Sequence, residues 1–158
     1  MFDELRRRNE AYAPIHQSVP LGPALGMVVV TCVDTRIDTA AALGVGAGDA
    51  FVIRTVGGRV AGAMNDLHAI AAMAGRPLPV MVVHHTDCGT RRLAEELTGQ
   101  VATATGQGPD EVAAIAVTDP RESVAHDVEV LRRTFDAPAG GYVFDVDTGL
   151  VDEVVPPS

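Results

Sequence analysis

Two valine-rich runs constrain the fold of this chain more than any other feature. One run covers residues 26–31 and the other residues 79–84, and glycine or proline opens each of them. Short apolar runs of this kind are typical of buried strands in a parallel sheet. The two cysteines of the chain follow these runs, at Cys32 and Cys88. We therefore expect both near the carboxyl ends of parallel strands, where open α/β sheets usually place their ligands.

The cysteines and a neighbouring histidine suggest a metal site. His85 precedes Cys88 by three residues, and two thiolates with one imidazole form a donor set suited to zinc. Three protein ligands would leave a fourth position open, as in catalytic zinc sites. Alternatives stay open on the residues alone. The cysteines could be small buried residues, Asp34 could close a purely structural zinc site, and Asp34 with Arg36 could be a surface ion pair.

Composition excludes several classes of partner. The chain of 158 residues is long enough for one domain with its own core, without disulfides. A net charge of -9 and the lack of a basic stripe argue against nucleic acid or an anionic membrane as partner. The sequence has no membrane-span-length apolar run and no signal-peptide pattern in its first eight residues. We expect a cytoplasmic protein whose cysteines stay reduced and available to a metal.

The order of strand and helix patterns predicts an α/β fold. We expect a mostly parallel central sheet flanked by helices, with an antiparallel strand at its C-terminal edge. The domain should cover residues 1–158, with residues 1–22 forming an N-terminal helical arm. Strands are predicted at 26–32, 50–54, 79–85, 142–146 and 150–155, and helices at 2–12, 34–43, 63–74, 89–98 and from 119 onward.

Local sequence signals bear on the boundaries of several elements. Residues 44–49, Gly-Val-Gly-Ala-Gly-Asp, are interpreted as a turn, because a phosphate-binding loop must follow a strand and open a helix. Gly99 is expected to end the helix that precedes it. Residues 111–117 fit either a helix or a strand. By contrast, Asp119-Pro120-Arg121-Glu122 supplies a cap, an N-terminal proline and a capping-box glutamate for the last helix.

The two cysteine segments also carry a family resemblance. Cys-x-Asp-x-Arg at 32–36 and His-x-x-Cys-Gly at 85–89 resemble the zinc site of the β-class carbonic anhydrases. The likeness is closest to short members of that class whose second motif reads His-His-Thr-Asp-Cys-Gly, as residues 84–89 do here. It extends through residues 43–44, 48–50, 52–54 and 141–149, and so over most of the chain.

The resemblance implies a function for each motif residue. Cys32, His85 and Cys88 would ligate one zinc ion per chain, and Asp34 with Arg36 would form the catalytic dyad. The enzyme would be a zinc lyase that hydrates carbon dioxide reversibly to bicarbonate through a zinc-bound hydroxide. A carboxylate can orient that hydroxide only while it is ionised, and an arginine beside it keeps it so. The resemblance further implies a homodimer or homotetramer with arms exchanged between subunits.

The chain departs from the family pattern after the strand arginine. Where the family has Asn-Ala-Gly, this chain has Thr55-Val56-Gly57, which makes substrate choice an open question. Hydrolysis of carbonyl sulfide or carbon disulfide on the same zinc site is one alternative, and a non-catalytic zinc-binding assembly protein is another. We expect His84 to point to the opposite face of its strand from His85. Asp87 is interpreted as shaping the turn between the ligands.

Overall fold

A five-stranded sheet forms the centre of the computed structural model, which describes residues 1–158. Its strands are β1 (Val28–Cys32), β2 (Phe51–Thr55), β3 (Val80–His85), β4 (Ala139–Phe144) and β5 (Val151–Val155). They lie in the order β2-β1-β3-β4-β5. Neighbouring strands from β2 to β4 are parallel, and β5 pairs antiparallel with β4. The predicted α/β class, with its antiparallel C-terminal edge, is confirmed.

Six α-helices accompany the sheet: α1 (Phe2–Tyr12), α2 (Thr39–Leu43), α3 (Met64–Ala74), α4 (Thr98–Thr105), α5 (Pro109–Ala113) and α6 (Pro120–Thr134). Short 3-10 turns occur at Ala13–Ile15, Val56–Gly58 and Val60–Gly62, and a π-helical turn at Leu93–Leu97. Helix α6 begins as predicted, because the Asp119 side chain accepts hydrogen bonds from the first-turn backbone. None of these helices combines the length and the apolar character that crossing a membrane requires.

The larger hydrophobic core lies between one face of the sheet and helices α3 and α6. Side chains alternate along a strand, so the even-numbered valines of β1 and β3 point into this core. They pack against Leu67 of α3 and against Val124, Val128 and Leu131 of α6. A smaller cluster on the opposite face contains both cysteines, together with Val29, Ile37, Val83, Val117 and Phe144. The apolar surroundings of the cysteines therefore come from the second face of the sheet.

Helix α2 is shorter than the predicted segment 34–43. The Arg54 guanidinium donates hydrogen bonds to the backbone carbonyls of Cys32, Asp34 and Ile37. These bonds hold the chain after β1 in a non-helical turn. The helix starts at Thr39, where the Asp38 side chain caps its first turn. Residues 33–38 consequently form a loop at the carboxyl end of the sheet.

Two other boundaries differ from the prediction. Gly99 does not end its helix, since α4 continues to Thr105 and the chain reverses at Gly106, where φ is 73°. A glycine within a helix costs only about 1 kcal/mol relative to alanine, so it is a weak stop signal. Strand β4 begins at Ala139 rather than at 142. A Cβ on Gly141 would lie 3.0 Å from a Val128 methyl group, so the glycine lets α6 pack closely on the strand.

The N-terminal helical arm is present as predicted. Helix α1 has no buried residue, and the residues after it stay exposed as far as residue 22. Its apolar side chains face outward in the single chain, with Phe2 79% exposed and Leu5 56% exposed. The arm thus contributes nothing to the core of its own chain.

Candidate metal centre

Three potential metal ligands converge at the carboxyl ends of β1 and β3. Cys32 is the last residue of β1, His85 is the last residue of β3, and Cys88 follows in the turn after β3. The two strands are parallel neighbours, which brings their ends together. The ligand atoms of the three residues all lie within 4.8 Å of one another, and all three residues are buried.

The orientation of His85 fits a metal ligand. Its Nδ1 lies 2.9 Å from the backbone carbonyl oxygen of Thr86. Because a carbonyl oxygen only accepts, Nδ1 carries the hydrogen and Nε2 of the neutral ring offers its lone pair. Nε2 is fully buried and has no hydrogen-bond partner in the protein. A buried, unpartnered imidazole nitrogen beside two thiols matches the donors and the Nδ1–H···O=C support that zinc sites use.

The electrostatics of the pocket favour a cation. A hydrogen bond from the Cys32 thiol lowers the pKa of Cys88 far below its usual value, although burial opposes the shift. The same contact, together with burial, raises the pKa of Cys32. Burial lowers the pKa of His85, but the negative charges of Cys88 and Asp34 close to the ring help to raise it overall. The site therefore favours negative charge on the Cys88 sulfur, and a divalent cation would favour the ionised form of both thiols.

Asp34 and Arg36 form a fork-like pair beside these ligands. Arg36 Nε lies 3.0 Å from Asp34 Oδ1, and Nη2 lies 2.9 Å from Oδ2. Oδ2 is also 3.8 Å from His85 Nε2. The hydrogen bonds from Arg36 lower the pKa of Asp34 to about 2, although burial opposes the shift. Asp34 is therefore ionised at neutral pH and adjoins the ligand set.

Asp87 is a part of the site that the sequence did not reveal. Its Oδ2 and its backbone carbonyl each accept a hydrogen bond of 2.8 Å from Arg36. Asp87 has a φ of 52°, a left-handed conformation that aspartate tolerates better than most residues do. From the sequence, Asp87 is expected only to shape the turn between the ligands. The contact depends on how that turn folds back towards Arg36, and the spacing of the ligands gives no signal for it.

Comparison with known proteins decides the family. A family model described as carbonic anhydrase matches residues 27–134. Beta-carbonic anhydrase 1 of Mycobacterium tuberculosis is 33% identical over 151 residues, which cover 87% of this chain and 87% of that protein. The chain belongs to the β-class carbonic anhydrase family. It is thereby a homologue of a lyase, as the resemblance implied.

Two further relatives bear on this β-carbonic anhydrase homologue. The crystal structure of carbonic anhydrase from Streptococcus mutans has a TM-score of 0.81 and 34% identity, and the match covers 97% of this chain and 96% of that chain. The carbon disulfide hydrolase of an Acidianus species is 26% identical over 148 residues, covering 76% of this chain and 72% of that protein. The chain therefore resembles both carbonic anhydrases and a hydrolase.

Thr55 and Val56, where the chain departs from the family pattern, lie at the end of β2 and in the loop that follows it. This loop approaches Cys32. The Thr55 hydroxyl donates to the Arg59 carbonyl oxygen at 2.9 Å and so closes this loop. A Cβ on Gly58 would lie 3.1 Å from the Cys32 backbone nitrogen, and the φ of 71° at this position also favours glycine. Val56 is 47% exposed and borders a cavity of about 400 Å³ whose lining also includes Arg54, Arg59, Glu111 and Ile115.

His84 faces the opposite side of the sheet from His85, as predicted. Its Nε2 lies 3.2 Å from a carboxylate oxygen of Asp127, which is only 2% exposed. Asp127 also accepts hydrogen bonds from the Arg59 guanidinium and from the Val60 backbone. Burial raises the pKa of Asp127, but the hydrogen bonds from His84 and Arg59 outweigh it and lower the pKa overall. In this β-carbonic anhydrase homologue, an ionic cluster thus supports the strand residue next to the proposed histidine ligand.

Proposed function

We propose that this chain catalyses the reversible hydration of carbon dioxide to bicarbonate, with one zinc ion bound per chain. Cys32, His85 and Cys88 are the proposed ligands, and Asp34 with Arg36 is the proposed catalytic dyad. The observation that carries the proposal is the buried, unpartnered His85 Nε2, which lies 3.8 Å from the ionised Asp34 carboxylate. Membership of the carbonic anhydrase family supports the same reaction.

The chemistry divides between the metal and the dyad. When bound, zinc supplies the Lewis acidity that makes a water molecule nucleophilic near neutral pH. Asp34 supplies a fixed acceptor that orients the nucleophile. Its Oδ1 already accepts two hydrogen bonds, from the Arg36 backbone and from Arg36 Nε, whereas Oδ2 accepts one. Oδ2 therefore keeps a free lone pair, and it is the carboxylate oxygen that lies 3.8 Å from His85 Nε2.

Arg36 determines whether Asp34 can act as a general base. Hydration of carbon dioxide releases one proton, which a general base could accept. A carboxylate with a pKa of about 2 is too weak a base to hold a proton at neutral pH. Asp34 accordingly acts by orientation, and the proton passes to solvent or buffer. Asp87 shares Arg36 and helps to keep its guanidinium in place.

Hydrolysis of carbon disulfide is the second candidate. Similarity to the Acidianus hydrolase favours it, since both reactions place a small linear substrate before the same kind of nucleophile. Val56 gives the loop beside Cys32 an exposed apolar surface, which suits a sulfur substrate at least as well as carbon dioxide. The carbonic anhydrase assignment stands first, because relatives with that name have higher identity and coverage.

The experiment is a side-by-side assay of one preparation. Protein loaded with one zinc per chain is tested for carbon dioxide hydration, carbonyl sulfide hydrolysis and carbon disulfide hydrolysis. Our proposal predicts hydration as the dominant activity. Faster turnover of a sulfur substrate would transfer the assignment to the hydrolase, and inactivity on all three at full zinc occupancy would favour a non-catalytic zinc protein. Val56→Ala tests whether this side chain biases the choice.

We further propose that residues 1–158 act as one unit that assembles through the arm formed by residues 1–22, as a homodimer or homotetramer. The exposed Phe2 and Leu5 on α1, which make no contact with their own core, support an exchange of arms between subunits. Light scattering of the full chain should give at least a dimer, and Phe2→Glu with Leu5→Glu should reduce its mass. The need for two reduced thiols favours the cytoplasm as its compartment.

A further inference from the structure

The hydroxyl group of Thr90 bridges a proposed metal ligand and a buried backbone group. Thr90 Oγ1 lies 3.0 Å from Cys88 Sγ. The same oxygen accepts a hydrogen bond of 3.2 Å from the backbone N–H of Val117. Thr90 lies two residues after Cys88, whereas Val117 lies 27 residues further along the chain. Thr90 and Val117 therefore come into contact only in the folded chain.

The Val117 contact determines which way the hydroxyl hydrogen points. A hydroxyl group has one hydrogen to donate and lone pairs with which to accept. The backbone N–H of Val117 can only donate, so it takes a lone pair of Oγ1. The hydrogen of Thr90 is left for its other neighbour, Cys88 Sγ. A thiolate can only accept, and such charge-assisted hydrogen bonds are short and strong.

We propose that Thr90 is a positioning residue that donates its hydroxyl hydrogen to the Cys88 thiolate and so adjusts how strongly this sulfur binds the metal. The inference rests on the proposed function, in which Cys88 is a zinc ligand. A hydrogen bond withdraws electron density from the sulfur and makes it a weaker donor. A metal held by this weaker donor would keep more positive charge and would acidify a bound water more strongly.

The two thiolates receive different kinds of donor. Cys32 is approached by backbone N–H groups of Asp34 and Gly57, whereas Cys88 is approached by both the backbone and the side chain of Thr90. A backbone donor cannot be removed by substitution without changing the chain itself. The Thr90 hydroxyl is thus a hydrogen-bond donor to a proposed ligand, and one conservative substitution can remove this donor.

The backbone partner of Thr90 is well fixed. Val117 is 2% exposed and packs in the cluster that contains Cys32 and Cys88. The preceding carbonyl, at Ala116, accepts a hydrogen bond from Arg59 at 3.3 Å. Arg59 in turn pairs with the buried Asp127. The N–H of Val117 is therefore held in place from both sides, and it keeps the Thr90 hydroxyl directed at the sulfur.

The test uses cobalt-substituted protein, because zinc has no spectrum of its own whereas cobalt bound to thiolate gives a sulfur-to-metal charge-transfer band. Thr90→Val removes the hydroxyl at nearly constant shape, Thr90→Ser keeps it, and Thr90→Ala replaces the valine variant should that one not fold. Thr103→Val is the matched control, since this exposed threonine bonds only within its own helix. Zinc affinity is measured in parallel by competition with a chelator.

We expect the band of Thr90→Val to move to longer wavelength, because a sulfur without the hydrogen bond gives up an electron more easily. Zinc affinity should not fall, because the sulfur without the hydrogen bond is the stronger donor. Thr90→Ser and Thr103→Val should match the parent protein in both readouts. An unshifted band in Thr90→Val overturns the proposal, and a fall in zinc affinity with it would indicate a purely structural role for Thr90. Failure of the ligand assignment looks different: the parent protein itself would then show no sulfur band, which refutes both proposals.

Discussion

Oδ2 of Asp34 lies 3.8 Å from Nε2 of His85, and the Arg36 guanidinium donates a hydrogen bond to the same oxygen. An ion pair that only covers the protein surface would have no reason to lie beside a buried ring nitrogen. Here the side chain of Asp34 is only 17% exposed, whereas that of Arg36 is 42% exposed. The carboxylate therefore projects towards the ligand set and the guanidinium towards solvent, as expected of a dyad that serves the site.

Removal of the Asp34 charge should abolish most of the activity and leave the metal bound. Asp34→Asn keeps the shape of the side chain but can no longer present an ionised acceptor, so we expect carbon dioxide hydration to fall roughly 100-fold or more. Zinc content should stay near one per chain. Asp136→Asn is the control, because Asp136 is exposed and remote from the ligands in sequence. Activity of Asp34→Asn within about twofold of the parent protein, the scatter expected of an uninvolved residue, would exclude an orienting role.

Removal of the metal should destabilise the fold. A ligand present at a thousand times its Kd adds about 4 kcal/mol to the free energy of unfolding. For a chain of this size we therefore expect the Tm to fall by roughly 10 °C after chelation and to recover when zinc is added back. His85→Ala should show the low Tm from the start and not respond to zinc. If neither chelation nor the addition of zinc changes the Tm of the parent protein, this result contradicts a bound metal.

The ionic cluster of His84, Arg59 and Asp127 should make the stability of the protein depend on pH in the acid range. Asp127→Asn leaves the half-buried Arg59 without its counter-charge and should cost about 3–5 kcal/mol at pH 7. The pKa of Asp127 is lowered in the folded protein, so its ionised form stabilises the fold fully above the ordinary value of 3.8. This contribution is lost as the pH falls below 3.8 through the lowered folded-state pKa.

Urea unfolding of both proteins between pH 7 and pH 3 measures this effect. The gap in unfolding free energy between the parent protein and Asp127→Asn should narrow towards the acid end. A gap that stays constant with pH would show that the ionisation of Asp127 does not contribute. Because both proteins carry the same metal site, loss of zinc at low pH affects them alike.

The loop beside Cys32 should tolerate no side chain at Gly57. Both Gly57 and Gly106 have a φ of 73°, so alanine at either position meets the same backbone strain of about 1–2 kcal/mol. At Gly57 the new Cβ would also lie 2.8 Å from the Ile115 carbonyl oxygen, whereas nothing lies within 4 Å at Gly106. We expect Gly57→Ala to cost about 1–3 kcal/mol more than Gly106→Ala in chemical unfolding. Equal costs would mean that the loop does not pack against residue 115.

The parts of the site that sequence predicted are those set by strand ends. Cys32 and His85 lie at the ends of neighbouring parallel strands, and the turn after β3 brings Cys88 to the same edge. Parallel pairing therefore suffices to predict their convergence. The opposite orientations of His84 and His85 follow in the same way from the alternation of side chains along β3.

The parts that sequence did not predict depend on side chains that meet through loops. Asp87 reaches Arg36 only because its backbone turns into a left-handed conformation. Helix α2 starts late because Arg54, on another strand, binds the carbonyl groups of the preceding turn. Thr90 acquires its role through a backbone group 27 residues away. None of these contacts leaves a periodic pattern or a fixed spacing in the chain.

The central claim is that this chain hydrates carbon dioxide on a metal held by Cys32, His85 and Cys88. Stopped-flow measurement of hydration tests it most directly, with the same preparation assayed metal-free, with one zinc per chain, and as Cys88→Ser. The account predicts catalysis in the zinc-loaded protein, the uncatalysed rate in the metal-free protein and in Cys88→Ser, and recovery of the parent protein when zinc is restored. Hydration at the uncatalysed rate by protein with full zinc occupancy would contradict it.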